Sequence, residues 1–391
     1  MNKTVYIAGR ARTPIGSLGG TLASVTAPQL GAIAIRAALE RSGVKPGQVD
    51  ELFMGNVISA NVGQAPAQQA SIYAGLPTSI PCTTVNKVCA SGMKAIMLGA
   101  QSIMLGDNEI VVAGGMESMS NAPYYLDKAR AGMRLGHGQI TDGIIRDGLW
   151  DPYSNTHMGE AGELCSAEYR ITREDQDEFA KSSYTRAAKA YEQGYFNNEL
   201  VSVEIKGKIT LTINEDEDYK KINFEKMSTL KPVFAKDGTI TAANASNIND
   251  GAAAVVLVSE KKMQELGLTP VAKIIAFADA SQDPEWFTTT PVKAMTNALR
   301  KAGMKVSDID YFEINEAFSC VPIVNATEMG IPMNKLNIWG GAVSLGHPIG
   351  CSGTRITVTL ISILHAMNGR YGMAGICNGG GGASAIIIEK V

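Results

Sequence analysis

A set of short motifs that recurs after about 260 residues is the strongest constraint on how this chain can fold. The matches pair residues 42–53 with 302–313, 91–94 with 352–355, and 113–115 with 378–380. Each match alone is weak, because small residues recur by chance. Three matches in the same order and at nearly the same offset are not expected by chance. The pattern predicts two related halves. The first comprises residues 1–120 and 250–269, the second residues 270–391, and residues 121–249 are inserted between them.

Helix-like and strand-like segments alternate along both halves, which is typical of α/β folds. Apolar spacing predicts helices over residues 26–42 and 91–105, each followed by a glycine. Inside the insertion, Thr172 and Asp175 form a capping-box pattern at the start of another helix. Near-continuous apolar runs predict buried strands at 4–7, 109–113, 252–258, 274–277, 311–314 and 385–388.

The composition argues against several classes of function. Apolar residues make up 45% and charged residues 19% of the 391, which suits large cores and not disorder. The net charge is −3 and no basic run occurs, so we expect no nucleic-acid partner. The absence of an 18-residue apolar run and of a leader pattern predicts no membrane partner and a cytoplasmic location. Six cysteines without a CxxC pair predict free thiols in a reducing compartment.

Cys89 is a candidate nucleophile because it lies at a predicted strand–turn–helix junction, a geometry that exposes a reactive side chain. Free N–H groups and the dipole at a helix N-terminus favour a thiolate. We therefore expect Cys89 to be more ionised at neutral pH than an ordinary cysteine. The alternative is a buried structural cysteine, which is common for this residue type.

His347 is a candidate base because it lies in the glycine-rich segment 340–350, where the backbone can approach a ligand closely. A phosphate cradle is the alternative, although neither nucleotide-binding glycine motif is present. The four histidines lie too far apart in the sequence to indicate a zinc site.

Cys377 and Asn315 each follow a predicted strand, where α/β sheets carry functional residues. Four glycines at 379–382 leave backbone N–H groups unobstructed, which suits an oxyanion hole. The alternatives are a hairpin turn at Cys377 and a helix cap at Asn315.

Together, segments 86–94, 315–318, 340–350 and 377–382 resemble the active-site blocks of the thiolase family. The resemblance covers essentially the whole chain in order. It implies the thiolase fold, an α/β fold of two duplicated βαβαβαββ halves in a five-layer α/β/α/β/α arrangement. A loop domain that binds CoA is inserted in the first half.

The resemblance also implies a reaction. Cys89 attacks an acyl-CoA thioester, His347 takes the thiol proton, and Cys377 removes the α-proton of a second acyl-CoA. His347 and a water held by Asn315 are implied as one oxyanion hole, and the N–H groups of Cys89 and Gly379 as the other. No cofactor is required for this chemistry, because CoA is itself a substrate or product.

The segment 157–159 resembles the loop-domain signature of short-chain thiolases, in which Met158 and Phe318 narrow the acyl tunnel. This implies reversible condensation of two acetyl-CoA to acetoacetyl-CoA and CoA, by a homotetramer. A broad-range degradative 3-ketoacyl-CoA thiolase is the alternative within the family. A ketoacyl synthase is not expected to have Cys377, and a scaffold protein would be expected to lose Cys89, His347 or Cys377.

Ala243 and the segment 276–279 resemble the potassium-activated mitochondrial branch of the family. The implied potassium ligands are the Tyr184 hydroxyl and the carbonyls of Ala242, Ala243, Ala245 and Val343. The implied CoA and substrate contacts are Tyr184, Lys221, Ile222, Asn223, Lys226, Ser246, His157, Met158 and Phe318. Lys221 and Asn223 depart from the Arg and Asp that are usual at these positions, and Lys lacks the planar fork of Arg.

Overall fold

The computed structural model describes residues 4–391, so the first three residues of the predicted N-terminal half lie outside the described part. The strands are β1 (Val5–Arg12), β2 (Gly16–Ser17), β3 (Glu51–Gly55), β4 (Cys82–Val85), β5 (Ile110–Ser118), β6 (Tyr124–Tyr125), β7 (Thr141–Asp142), β8 (Trp150–Asp151), β9 (Thr156–His157), β10 (Val203–Ile205), β11 (Leu211–Ile213), β12 (Asn249–Ser259), β13 (Ala272–Ser281), β14 (Tyr311–Ile314), β15 (Tyr371–Asn378) and β16 (Gly382–Lys390). The helices are α1 (Ala27–Ser42), α2 (Pro66–Ala74), α3 (Ser91–Leu105), α4 (Met158–Glu168), α5 (Arg173–Glu192), α6 (Phe224–Met227), α7 (Glu260–Leu266), α8 (Thr290–Ala302), α9 (Cys320–Met329), α10 (Ala342–Leu345) and α11 (Ile349–Ala366).

The two ends of the chain form half-sheets with the same strand order and the same directions. The first half-sheet runs β4-β3-β5-β12-β1, and the second runs β14-β15-β16-β13. The pair β3–β5 in the first half and the equivalent pair β14–β15 in the second are parallel. The pairs β5–β12 and β12–β1 in the first half, and β15–β16 and β16–β13 in the second, are antiparallel. The first strands of the halves, β1 and β13, pair antiparallel and join them into one sheet. The duplication expected from the repeated motifs is therefore present in the fold.

Helices cover both faces of each half-sheet, which gives the five predicted layers. Helix α1 packs outside β1, β5 and β12, and α8 packs outside β13 and β16. Helices α3 and α11 pack against each other between the half-sheets. The central layer is deeply buried, with α11 buried along sixteen of its eighteen residues.

Several elements agree closely with the sequence expectations. Helix α1 begins after Thr26 and ends at Gly43, and α3 spans the predicted range. Thr172 caps α5 by accepting a hydrogen bond from the backbone N–H of Asp175. These helix boundaries could be predicted from the sequence because the apolar period and the capping residues are local signals.

The second half departs from an ideal repeat at its third strand, which is reduced to one parallel bridge between Phe312 and Leu336. Asn337 follows in a left-handed conformation with φ 46°. Its side chain accepts a hydrogen bond from the N–H of Ile314 and donates one to the Ile314 carbonyl. An amide side chain thus occupies the hydrogen-bonding groups that the next strand residue would have used.

The inserted segment is tied to the first strand by a buried ion cluster. The Arg12 guanidinium contacts both carboxylate oxygens of Asp216 at 2.8 and 3.0 Å, and its Nε lies 2.6 Å from Glu199. All three side chains are fully buried. Because Asp216 also accepts from the N–H of Ile15, this cluster fixes how the insertion enters the core.

Two helical segments, Val88–Leu105 and Ile349–Ala366, are long and apolar enough to cross a membrane by length and composition alone. Of these two segments, 56% and 89% respectively is buried inside the protein. Their apolar character is therefore accounted for by the packing of α3 against α11.

Substituting Arg12→Met should lower the free energy of unfolding by about 3–5 kcal/mol, because it leaves two carboxylates buried without their cation. Urea unfolding followed by far-ultraviolet circular dichroism measures this change. The matched control is Arg370→Met, which removes an arginine whose contact with Glu389 is largely exposed. We expect little change there, and equal losses in the two variants would contradict the assigned role of Arg12.

Candidate active site

The four segments singled out by the sequence converge between the half-sheets. Cys89 precedes α3 and His347 precedes α11, each by two residues. Asn315 lies just after β14, and its side-chain amide nitrogen is 3.5 Å from His347 Nε2. Cys377 lies on β15, where the negative charge of a Cys89 thiolate is close enough to raise its pKa. The structure thus places Asn315 beside His347 and Cys377 close to Cys89.

The turn that carries Cys89 is strained at the preceding residue. Val88 has φ 48°, a left-handed conformation that is costly for a β-branched side chain. The side chains of Ser91 and Asn86 hold this turn, because they accept from the N–H groups of Lys87 and Val88 at 2.8 and 3.0 Å. Strained turns between a strand and a helix present a nucleophile, as the sequence predicted.

The expectation that Cys89 is unusually ionised is wrong. Burial raises the pKa of its thiol to about 12, although the N–H groups of Gly379 and of Cys89 itself act in the opposite direction. Dehydration of the sulfur therefore outweighs the helix N-terminus, which acts only within its first turn. The resting form is a thiol, and an acceptor must take its proton before it can attack.

His347 is placed to be that acceptor. Its Nδ1 lies 2.6 Å from the Ser352 hydroxyl, which donates its own proton to the Pro348 carbonyl at 3.0 Å. When Ser352 donates to Pro348, it accepts from a protonated His347 Nδ1, and the lone pair is then on Nε2, where the amide nitrogen of Asn315 lies 3.5 Å away. Burial, together with the charge of Arg355, lowers the pKa of His347 to about 3. The imidazole is neutral throughout the physiological range.

Cys377 lies at the end of β15 before a turn of four glycines. It pairs with Ala383 across the β15–β16 hairpin, and Gly380 and Gly381 both have φ 79°. The hairpin alternative is therefore also correct, and the same turn brings the N–H of Gly379 to the Cys89 thiol. Burial, and then the charge of Cys89, raises the pKa of Cys377, so its resting form is also a thiol.

A cavity of about 700 Å³ lies along the inserted segment. Of the predicted contacts, it is lined by Tyr184, Lys221, Ile222, Asn223, Lys226 and Ser246. Ser246 is fixed by hydrogen bonds from its N–H and hydroxyl to the Ala317 carbonyl, at 3.1 and 2.9 Å. Lys226 is exposed, whereas Lys221 pairs with Glu217 at 2.7 Å and Asp218 at 3.3 Å. An anion at the cavity mouth would have to compete with those carboxylates for Lys221.

Three predicted substrate residues lie outside the lining of that cavity. His157 stacks on Phe234, with ring centroids 4.7 Å apart, and Phe318 packs edge-on against Phe234 at 5.9 Å. Met158 lines a second cavity of about 740 Å³, together with Val88 and Gly379. Met158 thus lies on the side of the nucleophile turn, and His157 acts on the site only through aromatic packing.

The predicted potassium ligands also lie together. Tyr184, Ala243 and Val343 belong to one buried cluster, and Ala242 and Ala245 line the large cavity beside them. Burial raises the pKa of the Tyr184 hydroxyl, and so do the negative charges of Asp218 and Glu316. The hydroxyl therefore stays neutral in a negative field.

Several residues that shape the site gave no sequence signal. Glu117 accepts from the N–H groups of Val57, Ile58 and Gly350, and its burial raises its pKa to about 7. Asn249 accepts from the N–H of His347 at 2.9 Å. These contacts join residues far apart in the chain, so only the fold reveals them.

Comparison with known proteins agrees with this geometry. Residues 5–261 match the family model described as thiolase, N-terminal domain, and residues 268–390 match thiolase, C-terminal domain. The acetyl-CoA acetyltransferase of Schizosaccharomyces pombe is 54% identical over the full length of both chains. A cytosolic acetyl-CoA acetyltransferase of Gibberella zeae is 52% identical over 99% of this chain and 98% of its own. The crystal structure of Acat5 thiolase from Ascaris suum in complex with coenzyme A superposes with a TM-score of 0.95, at 45% identity over all of both chains.

Substituting Ser352→Ala should slow alkylation of Cys89 by iodoacetamide about tenfold, because Nδ1 loses the partner that keeps the lone pair on Nε2. Mass spectrometry of the labelled peptide measures the rate. Thr357→Val is the matched control, since it removes another buried hydroxyl from α11 that bonds only to the Gly353 carbonyl. An unchanged rate in Ser352→Ala, with the fold intact, would show that Ser352 does not set the tautomer.

Proposed function

We propose that this chain, which belongs to the thiolase family, is an acetyl-CoA C-acetyltransferase that reversibly condenses two acetyl-CoA to acetoacetyl-CoA and CoA. The observation that carries the proposal is that half-buried Cys89 and buried Cys377 lie close enough for the charge of one to raise the pKa of the other, with the neutral His347 next to Asn315. A single thiol suffices for acyl transfer, but a carbon–carbon bond also needs a base for the second substrate.

In the first half-reaction, the Cys89 thiol attacks the acetyl-CoA carbonyl as His347 Nε2 takes its proton. The tetrahedral intermediate collapses to acetyl-Cys89, and His347 returns the proton to the departing CoA thiolate. The N–H groups of Cys89 and Gly379 receive the developing oxyanion. Losing one donor of this kind typically lowers the rate about a hundredfold or more.

In the second half-reaction, Cys377 transfers its thiol proton to the neutral His347, and the resulting thiolate removes an α-proton from a second acetyl-CoA. The carbanion attacks the acetyl-Cys89 carbonyl, forming acetoacetyl-CoA, and the freed Cys89 sulfur takes the proton back from His347. Protonated His347 and a water held by the Asn315 amide stabilise the enolate oxygen. The 3.5 Å distance between Asn315 and His347 supports this pairing.

The substrate is short because of the packing around the thiols. Met158, Phe318, Ala245 and Cys377 belong to one apolar cluster, and we expect this packing to restrict the acyl group to a short chain. CoA occupies the large cavity along Tyr184, Lys221, Ile222, Asn223, Lys226 and Ser246. A broad-range degradative thiolase would need a wider passage between Met158 and Phe318.

We further propose that potassium binds among Tyr184, Ala242, Ala243, Ala245 and Val343. Neutral carbonyl and hydroxyl oxygens suit a weakly hydrated monovalent cation, and the nearby charges of Asp218 and Glu316 favour a positive ion. When bound, the ion would stabilise the Ala242–Ala245 turn next to Ser246 and the α10 segment that precedes His347.

The location and the assembly are proposed on separate observations. A cytoplasmic location is supported by the relative that is named cytosolic. A homotetramer is supported by the exposed apolar side chains around the β6–β7 hairpin, which a second copy of this chain would cover. They are Tyr124, Leu126, Met133, Leu135 and Ile140.

The function is tested by thiolysis of 3-ketoacyl-CoA substrates of four to ten carbons. We expect kcat/KM to be highest for acetoacetyl-CoA and to fall at least about tenfold by six carbons, because further methylenes would have to displace packed side chains. Loss of the acetoacetyl-CoA enolate absorbance on adding CoA gives the rate. A flat chain-length profile would favour the degradative alternative, and no thiolysis at all would refute the proposal.

The Cys377→Ser variant provides the internal control. It retains Cys89 and His347, so acetyl-Cys89 should still form from acetyl-CoA and be detected by mass spectrometry. Condensation should fall by about 10²–10⁴, because a serine hydroxyl is a poor carbanion-forming base. Failure to acetylate Cys89 in a folded variant would mean that Cys377 also serves acyl transfer.

Potassium should raise the thiolysis rate and the melting temperature more than sodium or a bulky organic cation at equal ionic strength. The melting temperature reports binding without relying on activity, since an ion that binds only the native state stabilises it. Tyr184→Phe removes one ligand and should weaken both responses. Identical melting curves in all three cations would rule the site out and leave the thiolase assignment standing.

A further inference from the structure

Lys87 connects the two catalytic cysteine loops from opposite halves of the fold. Its backbone belongs to the nucleophile turn, where its N–H donates to Ser91 and its carbonyl accepts from Ala90. Its ammonium crosses to the second half-sheet and donates to the Asn378 side-chain oxygen at 2.8 Å and to the Ala383 carbonyl at 3.3 Å. One side chain thus spans from two residues before Cys89 to the residue after Cys377.

Asn378 transmits this contact to the oxyanion donor. Its amide nitrogen donates to the Gly379 carbonyl at 2.8 Å, and a side chain at Gly382 would collide with it. The N–H group of Gly379, the next residue, contacts the Cys89 thiol. Holding Asn378 therefore orients both Cys377 and the donor at Gly379.

The charge of the Lys87 ammonium also favours a Cys89 thiolate, in addition to the N–H groups of Gly379 and Cys89. Glu117, on β5, acts on Cys89 in the opposite direction. His347 is neutral, so it supplies no positive charge in the resting site.

Other charged groups constrain Lys87 without sharing its role. Asp279 on β13 lies 3.6 Å from the Lys87 ammonium and 2.7 Å from that of Lys94. Burial and the charge of Lys94 lower the pKa of Lys87, whereas Asp279 raises it. Lys94 lies one turn into α3, contacts Asp279 and does not reach the Asn378 loop.

We infer that Lys87 is a positioning residue for the condensation: it holds the Cys377–Gly382 hairpin against the nucleophile turn and electrostatically assists proton loss from Cys89. The role of Lys87 in condensation rests on the proposed function. Its geometry is a property of the folded chain and can be tested without any CoA substrate.

The first test measures alkylation of Cys89 by iodoacetamide as a function of pH, by mass spectrometry, in Lys87→Met, Lys87→Arg and Lys94→Met. We expect Lys87→Met to move the profile up by about one pH unit and to slow labelling about tenfold at a fixed pH below the inflection. Lys87→Arg retains the charge and should restore the profile. Lys94→Met removes an ammonium from the same carboxylate and should remain within about twofold of the unsubstituted protein.

The second test separates position from charge with Asn378→Ala. This variant breaks the bridge from the other half and leaves the ammonium in place. It should lower kcat for condensation about tenfold with a smaller change in KM, and leave the alkylation profile unshifted. Thermal unfolding confirms that each variant is folded, and Lys87→Gln replaces Lys87→Met if the latter is not.

A Lys87→Met or Lys87→Gln protein with the original pH profile and original kcat overturns the inference, as does an equal effect of Lys94→Met. If the unsubstituted protein alkylates as expected but lacks thiolysis, the proposed function fails while the assignment of Lys87 stands. The two conclusions are therefore distinguishable.

Discussion

The close approach of the two central helices is the constraint on which the rest of the structure depends. A Cβ at Gly92 of α3 would lie 2.6 Å from the Thr354 hydroxyl of α11, and one at Gly353 would lie 2.6 Å from the Met93 nitrogen. Neither position can carry a side chain without moving backbone. The two glycines occupy equivalent positions of the repeated motif. The duplicated positions therefore form the contact between the two halves. Because Cys89 and His347 each precede one of these helices by two residues, packing the helices together assembles nucleophile and base.

Desolvation sets the chemical state of the site. The same packing that brings Cys89, Cys377 and His347 together removes water from all three, so each is driven to its neutral form. A site of two thiols and a neutral imidazole holds no permanent charge of its own. Charge arises only when a proton moves, and the N–H donors of Gly379 and Cys89 are already oriented to receive it. The helix N-terminus contributes to that orientation more than to resting ionisation.

The sequence predicted elements whose signals are local and missed those held by distant contacts. Helix α3 was predicted to the residue from its apolar period and its terminal glycine. Helix α11 was not predicted, because its first turns contain Gly350 and Gly353, and glycine is a poor helix former. The third strand of the second half is shortened for another reason. The side chain of Asn337 takes the backbone hydrogen bonds of Ile314 that a longer strand would have made.

The candidate site shows the same division. Cys89, His347, Cys377 and Asn315 were found because unusual residue types stand beside glycines or at strand ends. Ser352 and Glu117 escaped notice, because a serine inside a helix and a glutamate at a strand end look ordinary until their partners are known. The ionisation of Cys89 was misjudged since the sequence shows the helix terminus and not the loss of water around the sulfur.

The pairing of β1 has a consequence for how the chain is made. Both neighbours of this first strand, β12 and β13, begin at residue 249 or later. At roughly 5–20 residues per second, a ribosome needs about 12–50 s to deliver them after β1 has emerged. During that time an apolar strand has both edges unpaired, and hydrophobic strands of this kind aggregate readily. The duplicated architecture therefore leaves β1 without its sheet partners through most of translation, even though the finished protein buries this strand at the centre of its sheet.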